Sequence, residues 1–240
     1  MARFGTIHCE HDGTRLEGLV ARPAGTGPFP TVMVMHSANG LRHQVQGTIE
    51  TLAGMGFLAI ATDMYGPAAQ NGPPEACHAA YARFTGEGMH NVRARSLAWF
   101  AAVRAHPDAD PARLAAIGYC FGGHCVLELA RAGAGLRFVV SYHGTLGTHA
   151  RAVAGVPQCE IVAYCGAHDP FATLDEVDAL RRELADAGAR YQITVFGEAA
   201  HSFTDPDAGA MGMEGIRYNA MAHRMSWAGT VALLETLTDA

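Results

Sequence analysis

The chain has 240 residues and a formal net charge of −6 at pH 7, with 49% hydrophobic and 17% charged residues. These values are typical of a globular protein rather than a disordered or coiled-coil chain, and the acidic balance gives no general attraction to nucleic acid or anionic lipid. All 17 basic residues are Arg, which excludes Schiff-base enzymes that need a lysine amine and NTPases whose phosphate loop needs Lys.

An antiparallel hairpin opens the predicted fold. Residues 6–11 and 14–22 alternate between apolar and polar side chains around Asp12-Gly13, a strong signal for a two-residue turn. Alternating strands and helices follow, recognised by short apolar runs and by helical periodicity. In chain order they are a strand at 31–35, a helix at 45–55, a strand at 58–61, a loop with one short helix at 66–86 and a helix at 90–104.

The second half of the chain continues the same alternation. Its predicted elements are a strand at 114–119, a helix at 121–132, strands at 138–142 and 161–164, a helix at 174–187, a strand at 191–196 and a helical stretch at 215–237. Such alternation builds a parallel sheet with helices on both faces. We therefore predict an α/β protein with a mostly parallel sheet behind the N-terminal hairpin, in a single domain over 1–240.

The cysteines and the N-terminus bear on location. None of the six cysteines forms a CxxC pair, residues 1–5 carry no apolar leader segment, and no apolar run approaches 18 residues. We therefore expect reduced thiols in a cytoplasmic protein with no membrane partner. The expected assembly is a monomer or a homodimer.

The string Gly118-Tyr119-Cys120-Phe121-Gly122-Gly123 stands where a predicted buried strand turns into a helix. It matches the nucleophile elbow G-x-S-x-G with Cys in place of Ser, in which a sharp turn lifts the nucleophile above the sheet. A helix that begins at Phe121 directs its N–H groups and positive dipole end at the sulfur, which favours the thiolate. The alternatives are a buried packing role for Cys120 and a redox couple with Cys125.

An elbow nucleophile requires an acid and then a histidine later in the chain. Asp169 and His201 follow the two last predicted strands in that order, at the strand ends where open parallel sheets form their sites. Asp169 could instead cap the following helix, although Asp175 fits that role better. His143 and His168, also in strand-end loops, are the second choices for the base.

Together, the Cys elbow, the Asp169 string and Ala199-Ala200-His201-Ser202-Phe203 resemble the dienelactone hydrolase family over nearly the whole chain. The resemblance implies an α/β-hydrolase fold and a Cys-His-Asp triad that cleaves esters or lactones without metal or cofactor. It also implies that the backbones of Ala38 and Phe121 form the oxyanion hole. Further substrate contacts are expected from Ser37, Asn39, Tyr142 and Phe203.

Two departures from the family pattern bear on the substrate. Ser37 stands at the position where the family has a thiol-activating Glu. The position of the family's carboxylate-binding Arg falls within Thr204-Asp205-Pro206, where Asp205 would repel a carboxylate. We therefore expect a neutral ester, aryl ester or lactone as the substrate, with phosphotriester hydrolysis as a side activity. The alternatives are a metal-dependent hydrolase, for which no H-E-x-x-H or C-x-x-C spacing is present, and a non-catalytic ligand-binding protein of the same fold.

Overall fold

The computed structural model describes residues 4–86 and 89–238. Its strands match the predicted apolar runs, most of them extended by one to five residues. They are β1 Gly5–His11, β2 Thr14–Ala21, β3 Phe29–Met35, β4 Leu58–Thr62, β5 Ala109–Tyr119, β6 Phe138–Tyr142, β7 Glu160–Gly166 and β8 Arg190–Phe196. The helices are α1 His43–Gly54, α2 Pro67–Gln70, α3 Pro74–Gly86, α4 Met89–Arg104, α5 Phe121–Arg131, α6 Leu174–Asp186 and α7 Ala220–Glu235.

The strands follow the order β1-β2-β4-β3-β5-β6-β7-β8 in the sheet. β1 and β2 form the antiparallel hairpin around Asp12-Gly13, and β2 also pairs antiparallel with β4. β3 pairs parallel with β4, and β7 pairs parallel with both β6 and β8. The predicted mostly parallel sheet with an N-terminal hairpin is confirmed.

The chain divides into two compact units, Met1–Ala116 and Ile117–Ala240. In the first unit every residue of β3 and β4 is buried, as their unbroken apolar sequences predict for central parallel strands. In the second unit every residue of α5 is buried, so this helix forms part of the core along its whole length. The expectation of a single domain stays a prediction.

Prolines and one asparagine cap account for the main differences between the observed elements and the sequence-based prediction. Residues 66–86 form two helices instead of one, because Pro67 and Pro74 occupy first helical positions, where a missing N–H costs nothing. Pro111 lies inside β5, at an exposed position near the start of the strand, where proline is tolerated. The last helix is shorter than predicted: α7 begins after Asn219, whose side chain accepts the Ala222 N–H at 3.0 Å.

Among the described residues, no helix combines the length and the apolar character needed to cross a membrane.

Candidate active site

Cys120 lies between β5 and α5 in a strained backbone conformation, with φ 54° and ψ −115°. Positive φ is uncommon for a residue with a side chain and persists only where the surrounding structure enforces it. Its N–H donates to the Tyr142 carbonyl at 3.0 Å, and its carbonyl accepts the His124 N–H at 3.2 Å. Cys120 is partly exposed, whereas the other five cysteines are buried. This arrangement is the turn expected of a nucleophile elbow.

The glycines of the elbow allow this turn to close. A Cβ on Gly118 would lie 2.0 Å from the Gly122 carbonyl oxygen, a distance that no side chain can occupy. A Cβ on Gly123 would lie 2.6 Å from the Ser141 Oγ and 2.7 Å from the Gly144 Cα. Glycine is therefore required at Gly118, where strand and helix backbones nearly touch, and at Gly123, where α5 meets the loop after β6.

Asp169 follows β7 and is buried. Its Oδ2 accepts the Nδ1–H of His201 at 2.8 Å, and its Oδ1 accepts the N–H of Phe171 at 2.8 Å and the N–H of Ala172 at 3.2 Å. The cap of α6 is Thr173, which forms a capping box with Glu176. The helix-capping alternatives, Asp169 and Asp175, are therefore wrong, and the Asp169 carboxylate orients the His201 ring instead.

His201 follows β8, and its main chain is tied on both sides. Its N–H donates to the Gly215 carbonyl at 2.9 Å, and its carbonyl accepts the Arg217 N–H at 3.1 Å, forming a short parallel bridge with Ile216. Its ring meets Phe171 edge to face, with ring centroids 4.9 Å apart. The main chain and Asp169 together fix both the position and the rotation of the imidazole.

The surroundings of His201 favour its charged form. Burial lowers its pKa, but the interactions with Cys120 and with Asp169, including a side-chain hydrogen bond to each, outweigh burial and raise the pKa to about 10. An imidazolium at neutral pH can accompany a thiolate on Cys120, and each charge stabilises the other. The three predicted residues Cys120, His201 and Asp169 are thus brought together as a chain of hydrogen-bonding groups.

The second-choice histidines have other surroundings. His143 is fully enclosed beside His201, with ring centroids 5.2 Å apart, and its Nε2 lies 2.8 Å from the Thr204 Oγ1. Burial and then the neighbouring His201 hold the pKa of His143 well below its usual range, so it stays neutral. His168 is exposed, and its N–H donates to the Ala199 carbonyl at 2.9 Å.

Two predicted substrate contacts lie in the interior. Tyr142 is buried between the rings of Tyr119 and Tyr164, and its hydroxyl is hydrogen-bonded to Thr230 of α7. Phe203 is also fully buried, edge to face with His143 at a centroid distance of 5.1 Å. Both side chains therefore have packing surroundings, which do not support the expected contact with a substrate.

The loop after β3 belongs to the first unit. The Asn39 N–H donates to the Ser37 Oγ at 3.3 Å, and the Asn39 side-chain oxygen lies 2.9 Å from the His78 Nε2 on α3. The Leu41 N–H donates to the Gln70 side chain at 2.9 Å, so α2 and α3 fix this loop. The oxyanion role of Ala38 and the substrate contacts of Ser37 and Asn39 stay predictions.

Sequence reasoning missed Phe171. It is a large apolar residue 43% exposed, yet it packs against the His201 ring and its N–H binds the same carboxylate. Its position two residues after Asp169 is the one available signal, because a backbone N–H at that spacing commonly binds the aspartate side chain.

Comparison with known proteins identifies the group to which this fold and site belong. A model of the dienelactone hydrolase family matches residues 16–238. The chain belongs to the dienelactone hydrolase family. The sequence-based resemblance and the predicted α/β-hydrolase fold are thereby confirmed, and the chain is a hydrolase of the esterase and lactonase class. The alternative of a non-catalytic binding protein does not agree with this membership.

Three known proteins show the extent of the similarity. The crystal structure of a dienelactone hydrolase-like promiscuous phosphotriesterase from metagenomic libraries has a TM-score of 0.87 and 33% identity, covering 98% of each chain. An uncharacterized protein of Caenorhabditis elegans is 33% identical over 140 residues, 56% of this chain and 86% of the relative. A Yersinia pestis protein named provisionally as a carboxymethylenebutenolidase is 26% identical over 215 residues, 82% of this chain and 79% of the relative.

Proposed function

We propose that this dienelactone hydrolase family member cleaves neutral carboxylic esters or lactones with Cys120 as nucleophile, His201 as acid and base, and Asp169 as the group that orients His201. One observation carries the proposal. The buried Asp169–His201 hydrogen bond of 2.8 Å continues in a side-chain hydrogen bond from His201 to Cys120, which stands in an elbow conformation. A nucleophile within reach of a base that a third group orients is the signature of covalent catalysis.

Acylation begins from the thiolate–imidazolium pair. The thiolate attacks the carbonyl carbon, and the oxygen that becomes negative accepts the N–H of Phe121 at the first turn of α5. The second donor is the backbone N–H of Ala38, as the family resemblance implies. The tetrahedral intermediate then expels the alcohol, whose oxygen takes the Nε2 proton of His201. A thioester on Cys120 and a neutral imidazole remain.

Deacylation uses the same imidazole as a base. His201 takes a proton from water while the water oxygen attacks the thioester carbon. The intermediate releases the acid and restores the thiolate, and His201 is again an imidazolium. Asp169 stays ionised throughout and keeps Nδ1 protonated, so Nε2 is the atom that exchanges protons. No metal or cofactor is required for either half of the cycle.

The proposed substrate is uncharged near the reacting centre. Asp205 lies in the segment where the family resemblance implies a carboxylate-binding arginine. Its carboxylate accepts the backbone N–H of Asp207 at 3.0 Å. A fixed negative charge at that position disfavours an anionic substrate.

The cytoplasmic location and the monomeric or homodimeric state expected from the sequence stay predictions.

Phosphotriester hydrolysis is the second candidate activity. It is favoured by the promiscuous phosphotriesterase that is 33% identical over 98% of this chain. A site that holds a tetrahedral oxyanion can also hold a phosphoryl centre under attack by the thiolate. The aryl alcohol then leaves, and water must cleave the phosphorus–sulfur bond to restore the thiolate.

The test is acyl transfer to one sulfur atom. A p-nitrophenyl ester and a diethyl aryl phosphate are mixed with the wild type, Cys120→Ala and the matched control Cys125→Ala, which removes a buried thiol of the same helix. We expect a burst of p-nitrophenol followed by turnover, with the acyl group on Cys120 by peptide mass spectrometry, in the wild type and the control. Turnover that persists in Cys120→Ala would overturn the nucleophile, and loss of wild-type activity with EDTA would favour the metal-dependent alternative.

A further inference from the structure

Phe171 forms the exposed side of the imidazole's surroundings. Its ring centroid lies 4.9 Å from that of His201 with the planes at 68°, and the residue is 43% exposed. The His143 ring packs against the same imidazole at 5.2 Å but is only 1% exposed. Of the two rings, Phe171 is therefore the one that a molecule arriving from solvent can reach.

The position of Phe171 is coupled to that of the base. Asp169 accepts the Phe171 N–H on Oδ1 and the His201 Nδ1–H on Oδ2, each at 2.8 Å. One buried carboxylate therefore holds both the imidazole and the backbone of its aromatic neighbour. An exposed phenylalanine held at a fixed position offers a preformed apolar surface at little entropic cost to a ligand.

The chemistry of the site indicates which part of a substrate lies beside this ring. Because Asp169 occupies Nδ1, the proton for the departing alcohol comes from the Nε2 of His201, and the alcohol oxygen must come within hydrogen-bond distance of that atom. The group carried by this oxygen then lies next to the imidazole. Aromatic rings pair favourably at centroid separations of about 4.5–7 Å, which a ring carried by that oxygen can reach.

We propose that Phe171 is a specificity-determining residue that contacts the alcohol portion of the substrate and favours esters of aromatic alcohols. The inference rests on the proposed function, since it assumes that His201 protonates the leaving group. The proposed role of Phe171 differs between acylation and deacylation. Phe171 contributes to acylation, when the alcohol is present, and has no part in deacylation, when the alcohol has left.

The test compares benzyl acetate with ethyl acetate, which form the same acetyl-enzyme and have alcohols of similar basicity. The proteins are the wild type, Phe171→Ala, Phe171→Leu and the control Met225→Ala, which truncates an exposed apolar residue of α7. We expect Phe171→Ala to lower kcat/KM for benzyl acetate by about tenfold, the size of one lost aromatic pair, and to change ethyl acetate little. Phe171→Leu should lose less, because it keeps an apolar side chain.

A second measurement separates recognition from support of the base. The decay of the acetyl-enzyme, followed by intact mass spectrometry in a single turnover, should proceed at the wild-type rate in both Phe171 variants. Equal losses for the two esters, or slower decay, would show that Phe171 only supports His201 and would overturn the inference alone. No change for benzyl acetate would also overturn it. Absence of any acetyl group on wild-type Cys120 would overturn the proposed function together with this inference.

Discussion

The strand-end loops after β3 and after β8 each bury a histidine, and these two imidazoles have opposite properties. His36, after β3, places Nδ1 2.6 Å from the Ser37 carbonyl oxygen, and its Nε2 accepts the Met64 N–H at 3.0 Å. Burial lowers the pKa of His36, and the nearby Asp63 does not reverse this effect. His201 is also buried, and burial likewise lowers its pKa, yet the interactions with Cys120 and Asp169 raise that pKa to about 10.

Two features distinguish the surroundings of His201 from those of His36: the Cys120 thiol beside the ring, and what the neighbouring carboxylate binds. Asp63 accepts the N–H groups of Tyr65 and Gly66 and the side-chain amide of Gln70, so its hydrogen bonds serve the local turn. Asp169 gives one oxygen to its own turn and the other to the imidazole. Burial alone therefore does not decide whether a histidine carries charge. At His201 the neighbouring Cys120 contributes most to raising the pKa, and the carboxylate bound directly to the ring adds to it.

The largest loss of activity is expected when the charged imidazole is removed. We expect His201→Asn to lower kcat/KM by about 10⁴-fold or more, because the leaving alcohol loses its acid and the thioester loses its base. Steady-state hydrolysis of an alkyl ester measures the loss. The control is His168→Asn, which removes an exposed histidine from the loop that holds Asp169 and should leave activity near the wild-type level. Similar losses in both variants would contradict the assignment.

A smaller loss of activity is expected when the Asp169 carboxylate is replaced by an amide. Asp169→Asn keeps the turn to Phe171 but turns an amide toward Nδ1, so we expect kcat to fall by about 10⁴-fold, at the lower limit of the loss expected for His201→Asn. In the wild type, expulsion of a poor leaving group requires protonated His201 and should decline as the pH rises past about 10. In Asp169→Asn this alkaline limb should move to lower pH, because one contribution that raises the pKa is lost. A wild-type limb near pH 7 would contradict the charged state of His201.

The smallest effect on catalysis is expected at the neutral histidine. His36→Phe keeps a ring of similar size but leaves the buried Met64 N–H without its acceptor, which costs about 1–3 kcal/mol of unfolding free energy. Urea unfolding measures this cost, with His8→Phe on the exposed face of β1 as the control. The alkaline limb should stay where it is in the wild type. Equal stability of the two variants would mean that the His36 hydrogen bond contributes nothing.

Local signals in the sequence were sufficient for much of the fold and for the order of the site. Asp12-Gly13 specifies its hairpin because few residues adopt the required turn. The glycines around Cys120 identify the elbow because the turn leaves no room for a side chain there: a Cβ added at Gly118 would lie 2.0 Å from the Gly122 carbonyl oxygen. Asp169 and His201 were predicted because parallel strands bring their carboxyl ends to one edge of the sheet.

What the sequence did not reveal depends on contacts between distant residues. The sequence predicts one short helix within residues 66–86, whereas Pro67 and Pro74 each begin a helix. Proline is common both in loops and at first helical positions, and only packing distinguishes the two uses. Tyr142 and Phe203 were expected near the substrate, but aromatic residues at strand ends have no sequence feature that separates a core position from a pocket position. Phe171 gains its importance from the ring of His201, which lies far along the chain.

The main-chain bridge that joins His201 to Ile216 also bears on how such an enzyme can diversify. The chain leaves at Ser202 and returns at Gly215, and most of residues 205–214 are exposed or partly exposed. Because main-chain hydrogen bonds hold both ends of this segment, we expect changes in the length or sequence of its tip to leave the imidazole in place. Changing the sequence of this segment is therefore a way to alter substrate selectivity while His201 keeps its position.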